Sequence, residues 1–260
     1  MIEFFSLLTP SILLVLVYMS VMFGIGTVLR NNGIVDVAWG LGFVCIAWFT
    51  GIASGTWGAP QIVVTFLVTV WGLRLAYHIG KRNIGKAEDF RYAQWRKDWG
   101  RWAIVRSFFQ VYMLQGLFML IIAVPIILIN TVAISSGVML ASWIGLGVWV
   151  IGFFFEAVGD AQLRRFLHSP EHKGTLMTSG LWKYTRHPNY FGEAVMWWGI
   201  WLFALGIPFG WYAIVSPITI TLLVRFVSGV PMLEKKYAGR ADWEVYATRT
   251  NVFVPWFPKT

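Results

Sequence analysis

Val138-Met-Leu-Ala-Ser-Trp-Ile-Gly-Leu-Gly-Val-Trp-Val-Ile-Gly-Phe-Phe-Phe-Glu156-Ala-Val-Gly-Asp160-Ala-Gln-Leu-Arg164-Arg165 is the stretch on which the fold turns. It carries no charge before Glu156, then ends in two acids and two adjacent arginines. A helix needs roughly 20 apolar residues to cross the ~30 Å hydrocarbon layer, and Val138–Asp160 supplies them. Six more stretches share its character, at about Leu7–Leu29, Ile34–Ala53, Pro60–Ile79, Phe108–Asn130, Asn189–Ile207 and Trp211–Val230. With 57% of 260 residues hydrophobic and 13% charged, the apolar content exceeds what a soluble core requires and argues against an ordinary soluble enzyme.

The connections between these stretches alternate in charge. Gly51–Ala59, Thr131–Gly137 and Pro208–Gly210 carry none, whereas Lys81–Arg106 carries eight basic residues and Arg164–Arg186 five. All 21 Lys and Arg then fall on one side of the zigzag, which sets the N-terminus outside and the C-terminus in the cytoplasm. The expectation is an all-α integral membrane protein, a seven-transmembrane helix bundle forming a single membrane domain over residues 1–260. Three spans and an amphipathic connector occupy 1–107; a four-span core and a cytoplasmic tail occupy 108–260. A bacterial inner membrane, with the active site toward the cytoplasm, suits this pattern. The net charge of +9 is accounted for by topology and attraction to anionic headgroups, so no nucleic acid partner is called for.

Smaller features narrow the field. Met1–Leu8 lacks the basic n-region of a cleavable signal, so the first apolar run reads as a retained helix. Cys45 is the one cysteine, which removes intramolecular disulfides and CxxC motifs. His168 and His172 have metal-compatible spacing, but Ser169-Pro170 interrupts a helix there, and no metal site is expected. Trp95, Trp99 and Trp102 recur at helical spacing within Lys81–Arg106, the mark of an interfacial amphipathic helix, and Tyr237–Arg249 reads as a second cytoplasmic cap. Trp197, Trp198 and Trp201 read as helix-packing or lipid-facing residues.

Ionisable side chains within apolar spans are expensive and usually face a cavity or a partner. Asp36, Glu156, Asp160 and Glu193 all fall in the cytoplasmic half of the expected bundle. Glu156, Asp160 and Arg164 stand at successive i, i+4 positions, either as a self-neutralising stripe or as part of a site. Asn189 and Glu193 repeat that spacing within Ser179-Gly-Leu-Trp-Lys-Tyr184-Thr-Arg186-His187-Pro188-Asn189-Tyr190-Phe-Gly192-Glu193. Pro188 fits the first turn of a helix, whose free amides beside Arg186 form an anion site. Gly192 lets a ligand or a second backbone come close.

That run, with Glu156–Arg164 before it and the tail Tyr246-Ala-Thr-Arg249-Thr-Asn-Val-Phe-Val-Pro-Trp-Phe-Pro-Lys259 after it, resembles the membrane-embedded steroid 5-alpha-reductase-like superfamily. Within it, the chain looks like the bacterial branch known as the DUF1295 family, and Asn32-Gly-Ile-Val-Asp36-Val-Ala-Trp39-Gly40 is also typical of that branch. The resemblance implies seven helices around an NADPH whose phosphates face the cytoplasm. It implies that Asp160, Arg164, Tyr184, Asn189, Glu193 and Tyr246 contact the dinucleotide, with Arg186, His187, Tyr190 and Arg249 completing the cofactor set. Arg186-His187-Pro188-Asn189-Tyr190 is also similar to the motif of isoprenylcysteine carboxyl methyltransferases, whose cofactor is S-adenosylmethionine. Sterol C14-reductases carry an Arg-His-x-Asn-Tyr-x-Gly version. The Gln-Glu-Leu-Pro stretch and third-span Tyr that polarise the ketone in steroid reductases are absent; the nearest counterparts are Asp36 and Trp71.

Three functions follow as expectations. The first is hydride transfer from NADPH to an activated C=C bond of a lipophilic, steroid- or isoprenoid-like substrate. Asp36 or Glu156, kept protonated by burial, or Tyr77 or Tyr112, would act as the hydrogen-bond donor, and Arg82, Arg91, Arg164, Arg165 and Lys173 are available to the phosphates. The second is methyl transfer from S-adenosylmethionine to a lipid-linked nucleophile. The third is a non-enzymatic lipid-binding membrane protein. The sequence sets no oligomeric state.

Overall fold

A computed structural model describes residues 2–131 and 140–259. Among them the chain is helical with no strand, and six helices are long and apolar enough to cross a membrane. These are Phe4–Val28, Ile34–Ser54, Ala59–Asn83, Phe90–Ile122, Leu140–His168 and Gly210–Tyr237. Most of the expected loop Thr131–Gly137, and the first two residues of the expected span Val138–Asp160, lie outside the described residues. The chain divides into two compact units, Met1–Met139 with Phe203–Val215, and Leu140–Leu202 with Ser216–Thr260.

The first unit is built on α1 (Ile2–Val28), α2 (Ile34–Ser54) and α3 (Ala59–Asn83). Helices α2 and α3 touch through Gly40 and Gly72: a Cβ on Gly40 would lie 2.7 Å from the Gly72 carbonyl oxygen. Edge-on contacts of Trp39 and Trp71 with Phe43, at centroid distances of 5.1 and 5.6 Å, fill the space beside that crossing. After α3 the chain forms α4 (Phe90–Trp99), capped by the Asp89 side chain, which accepts from the Arg91 amide.

The fourth apolar run differs from the sequence expectation of one span at Phe108–Asn130. The helical path begins 18 residues earlier at Phe90 and changes winding on the way to Ile122. A 3-10 turn at Gly100–Trp102, where Gly100 takes φ +50°, leads into α5 (Ala103–Arg106). A π-helical segment, Ser107–Met113, then passes into α6 (Leu114–Ile122). The break at Ala123 has a cause in the sequence: Pro125 has no amide to donate to the Ile121 carbonyl, and α7 (Val124–Thr131) starts afresh with the proline in its first turn. Gln61 Nε2 donates to the Ile129 carbonyl at 3.0 Å, and Asn130 Nδ2 donates to Thr50 Oγ1 at 2.7 Å, so both buried side-chain amides beside this broken helix find acceptors.

The second unit is organised by α8 (Leu140–His168) and α9 (Pro188–Ala204). On α8 the buried positions Ser142, Gly145, Trp149, Gly152, Glu156 and Gly159 alternate three and four like a coiled-coil seam, and Asp160 is buried beside its end. Glycines recur every seventh residue, and the facing helix answers with Gly192 and Gly199. A Cβ on Gly152 would stand 2.6 Å from the Met196 amide nitrogen, and one on Gly199 2.7 Å from the Gly145 oxygen. A Cβ on Gly192 would collide with the Glu156 amide nitrogen and the Gly152 oxygen. The order of these contacts makes the pair antiparallel and backbone-close along its length. Beyond it follow α10 (Val215–Leu222), which begins in the first unit, a π segment Leu223–Val227, α11 (Val230–Tyr237) and α12 (Ala241–Arg249), the last a helix within the expected cap segment Tyr237–Arg249.

Replacing Gly152 by Ala is expected to lower the thermal midpoint in detergent, at a cost of about 1–3 kcal/mol, because backbone atoms cannot yield to the new methyl. Gly147→Ala on the same helix, with no atom within 4 Å, should leave the midpoint unchanged or raise it slightly. Equal behaviour of the two variants would disprove the glycine-mediated approach.

Candidate functional site

Where α9 begins, the close crossing brings the polar residues of two sequence segments together. Asn189 Nδ2 donates to Asp160 Oδ1 at 3.1 Å. One turn along each helix stand Glu156 and Glu193, both buried, as is Asp160. A Cβ on Gly159 would stand 3.1 Å from Pro188 Cγ and 3.3 Å from the Asn189 amide nitrogen, so the glycine lets the start of α9 come close to α8. Three carboxylates and a carboxamide thus gather in an otherwise apolar helix pair, as the i, i+4 spacings suggested. Arg164, the third member of the α8 stripe, is exposed one turn beyond Asp160.

Behind the start of α9 lies a second polar knot that the sequence reading missed. Arg186, expected to attend an anion, is engaged within the chain: its Nε donates to Glu234 Oε1 at 2.8 Å, and its Nη1 donates to the carbonyls of Ala247 and Thr250 at 2.6 and 3.2 Å. His187 Nε2 lies 3.2 Å from the same Glu234 oxygen, and its ring stacks beside Tyr190. Burial presses His187 below the ordinary histidine range, with Glu234 pulling the other way and Arg186 and Arg225 adding to the depression. Glu234 stands 48 residues from Arg186, and nothing in the local charge pattern ties them.

Tyr246 turns inward, and its hydroxyl donates to the Trp182 carbonyl; burial pushes that phenol up. Trp182 Nε1 in turn donates to the Gly159 carbonyl at 3.1 Å, so the tail is linked to the α8 seam through one tryptophan. Tyr184 packs its ring edge against Phe257 and accepts the Trp256 amide at its carbonyl. Arg249 is exposed. Beside the 3-10 turn that starts at Gly180, a cleft of about 300 Å³ is lined by Gln162, Arg165, Phe166, His172 and Ser179. His168 and His172 do not form a ligand pair: His168 Nδ1 meets the Arg164 carbonyl at 2.7 Å, and His172 stacks on Phe166. Among the described residues no group of three metal-ligating side chains occurs.

In the first unit Asp36, expected as a protonated donor, has both oxygens engaged within the chain: Oδ1 with the Tyr92 hydroxyl at 2.6 Å and Oδ2 with Arg91 Nη2 at 2.9 Å. Arg91 also pairs with Asp89 at 2.9 Å; burial alone would raise the Asp89 carboxyl, but the Arg91 side chain and amide hold it below its usual range. Arg91 is therefore committed to two carboxylates instead of a phosphate. Glu88 accepts from the Asn32 amide at 2.7 Å and from Arg96 at 2.8 Å, and Asn32 Nδ2 donates to Ser107 Oγ at 2.9 Å. The connector is thereby latched onto the Asn31–Asp36 turn. Tyr112, on the π segment, is fully buried against Gly26 and Phe23, with no hydrogen-bond partner for its hydroxyl among the described residues. Tyr77 is 63% exposed, with Lys81 Nζ 3.4 Å from its hydroxyl, and is not gathered with these groups.

The model of the family described as "Protein of unknown function (DUF1295)" matches residues 22–250. A curated relative, "Uncharacterized protein C594.04c" of Schizosaccharomyces pombe, is 24% identical over 209 residues, which cover 71% of this chain. The chain spans about 60% of that relative's length. No solved structure matches.

Two outcomes test this geometry. Asp36→Ala strips charged hydrogen bonds from Arg91 and Tyr92 and should cost about 1.5–3 kcal/mol in a detergent unfolding assay, with Tyr92→Phe costing about 1 kcal/mol. Equal stability of all three proteins would show that the latch contributes nothing. The second concerns acid. A histidine depressed in the folded state gives stability that is full above its unfolded value of about 6.5 and declines as pH falls toward the folded value. The wild type should therefore lose stability more steeply below pH ~6.5 than His187→Gln. Parallel curves would contradict the buried neutral imidazole.

Proposed function

The chain belongs to the DUF1295 family, and on that premise we propose that it is a membrane-embedded reductase that uses NADPH to transfer hydride to an activated C=C bond of a lipophilic, steroid- or isoprenoid-like substrate. The observation that carries this reading is the buried Asp160–Asn189 pair with Glu156 and Glu193 beside it. Such a set matches the polar parts of a dinucleotide: a carboxamide exchanges donor and acceptor bonds with the nicotinamide amide, and carboxylates accept from ribose hydroxyls. Exposed Arg164, Arg165, Lys173 and Lys183 of the same unit supply cations for its phosphates.

When bound, the nicotinamide supplies the hydride. The chain's part is to fix the ring and exclude water, and a rigid backbone-close helix pair suits both tasks. In this reading Glu156, buried on the α8 seam one turn from Asp160, is the acid that would hold a proton toward the substrate oxygen. Tyr184, His187, Tyr190 and Tyr246 shape the entrance through the tail contacts, and Arg249 adds an exposed cation.

The same reading takes α9 as a seventh crossing. Its 17 residues rise about 26 Å, close to the hydrocarbon thickness. The N-terminus is then outside, the C-terminus and the cofactor end are cytoplasmic, and a bacterial inner membrane is the host.

Glu193→Gln and Asn189→Ala should each weaken NADPH binding about tenfold or more, measured by fluorescence titration of detergent-purified protein that remains folded. Unchanged affinity in both variants, or saturable binding of S-adenosylmethionine in place of NADPH, would overturn the reductase reading. Topology has its own check: a C-terminal fluorescent-protein fusion should glow in the bacterial cell and an alkaline phosphatase fusion should be inactive, the reverse pattern refuting the orientation.

A further inference from the structure

The last described residues form an exposed strap in the second unit. Val254, Trp256 and Phe257 are 59%, 66% and 73% exposed, yet their backbone is pinned. The Arg186 amide donates to the Asn251 carbonyl at 2.9 Å, Thr185 Oγ1 to the Phe253 carbonyl at 2.8 Å, and the Trp256 amide to the Tyr184 carbonyl at 2.9 Å. At its end the Lys259 amide donates to the Arg249 carbonyl at 2.8 Å. Pro255 and Pro258 restrict the backbone between these ties. A loose tail could fold its aromatic rings back onto the protein; this one is held with them facing outward.

Three cations accompany the rings. Arg249 and Lys259 are joined by that backbone bond, and Lys183 precedes Tyr184, which carries Trp256. All three are exposed, and none is held in an ion pair among the described residues. Moreover, the strap is tied to Tyr184–Arg186, directly ahead of apolar α9, so it lies at the level where a membrane helix begins. Tryptophan favours that level because its ring has an apolar body and a polar N–H, and cations there meet lipid phosphates.

We propose that residues 252–259, with Lys183 and Arg249, form a docking surface for anionic phospholipid. Val254, Trp256 and Phe257 enter the upper acyl region, and the three cations face the headgroup phosphates. Lipid held there bears on the same tail segment that positions Arg186 and His187, which couples the leaflet's charge to the start of α9. Lys183 and Arg249 also serve the reductase reading as cations for a nucleotide, but the lipid test is run without nucleotide, and Lys259 and the Val254 label belong to this surface alone, so the two readings fail separately.

The test uses the full chain carrying Cys45→Ser and Val254→Cys, labelled at the introduced thiol with an environment-sensitive fluorophore. The protein is placed in nanodiscs of pure phosphatidylcholine and of equal parts phosphatidylcholine and phosphatidylglycerol. In both, the label should be quenched by bromine on the upper acyl chain and shielded from aqueous iodide. In mixed micelles, phosphatidylglycerol affinity should fall about fivefold for each of Lys183→Gln, Arg249→Gln and Lys259→Gln. Iodide quenching without bromolipid quenching overturns the proposal, as does shielding from both quenchers, which would mean burial against protein. Undiminished phosphatidylglycerol affinity in the triple variant also overturns it.

Discussion

The approach of α8 and α9 through glycine is the constraint on which the rest of the second unit depends. Between membrane helices the hydrophobic effect gives little preference for one packing over another, because lipid tails are as apolar as leucine. Backbone contact and hydrogen bonds must supply the specificity. Gly145, Gly152 and Gly159 on one helix, with Gly192 and Gly199 on the other, remove the side chains that would hold the axes apart. Glu156, Asp160 and Glu193 each lie beside or one turn from one of these glycines, so their positions are set by backbone contact and not by side-chain packing alone.

The buried carboxylates then face a demanding condition. In hydrocarbon an unpaired polar group costs several kcal/mol, about as much as the whole stability margin of many domains. Asp160 meets this condition through Asn189, and Asp36 through Tyr92 and Arg91. The two solutions differ in kind. Asp36 is met by a cation and a phenol, and through them it holds the connector. Asp160 is met by a neutral amide on the facing helix, and that contact holds the start of α9 against α8.

How much was legible in the sequence follows from what each signal measures. Hydropathy located the apolar runs to within a few residues at Ile34–Ser54 and Ala59–Asn83, because their ends coincide with glycine or with the change to charge. It misjudged the fourth run because burial along Phe90–Ile122 is carried by a helix that tightens at Gly100 and widens at Ser107, and composition does not register turn width. The i, i+4 spacings revealed Glu156, Asp160, Asn189 and Glu193, since a single helix fixes which residues share a face. Partners separated by long stretches of chain, such as Arg186 with Glu234 or Tyr92 with Asp36, left no periodic trace. The seven-residue glycine spacing was present in the sequence and would have signalled the crossing had both helices been compared.

Those distant contacts explain why the start of α9 is built from the tail. A helix that enters an apolar layer exposes its first amides, and something must orient the chain before it. Here Arg186 binds two tail carbonyls and Glu234, Thr185 binds Phe253, and Tyr246 closes on Trp182, which reaches the Gly159 carbonyl on α8. The tail, the turn at residues 180–187 and the α8 seam thus form one hydrogen-bonded circuit. Loosening any member releases the register of Pro188 on Gly159, and with it the Asn189–Asp160 contact. Within that circuit Arg186-His187-Pro188 ties the tail to the first turn of α9 and so sets where Asn189 and Glu193 stand on it.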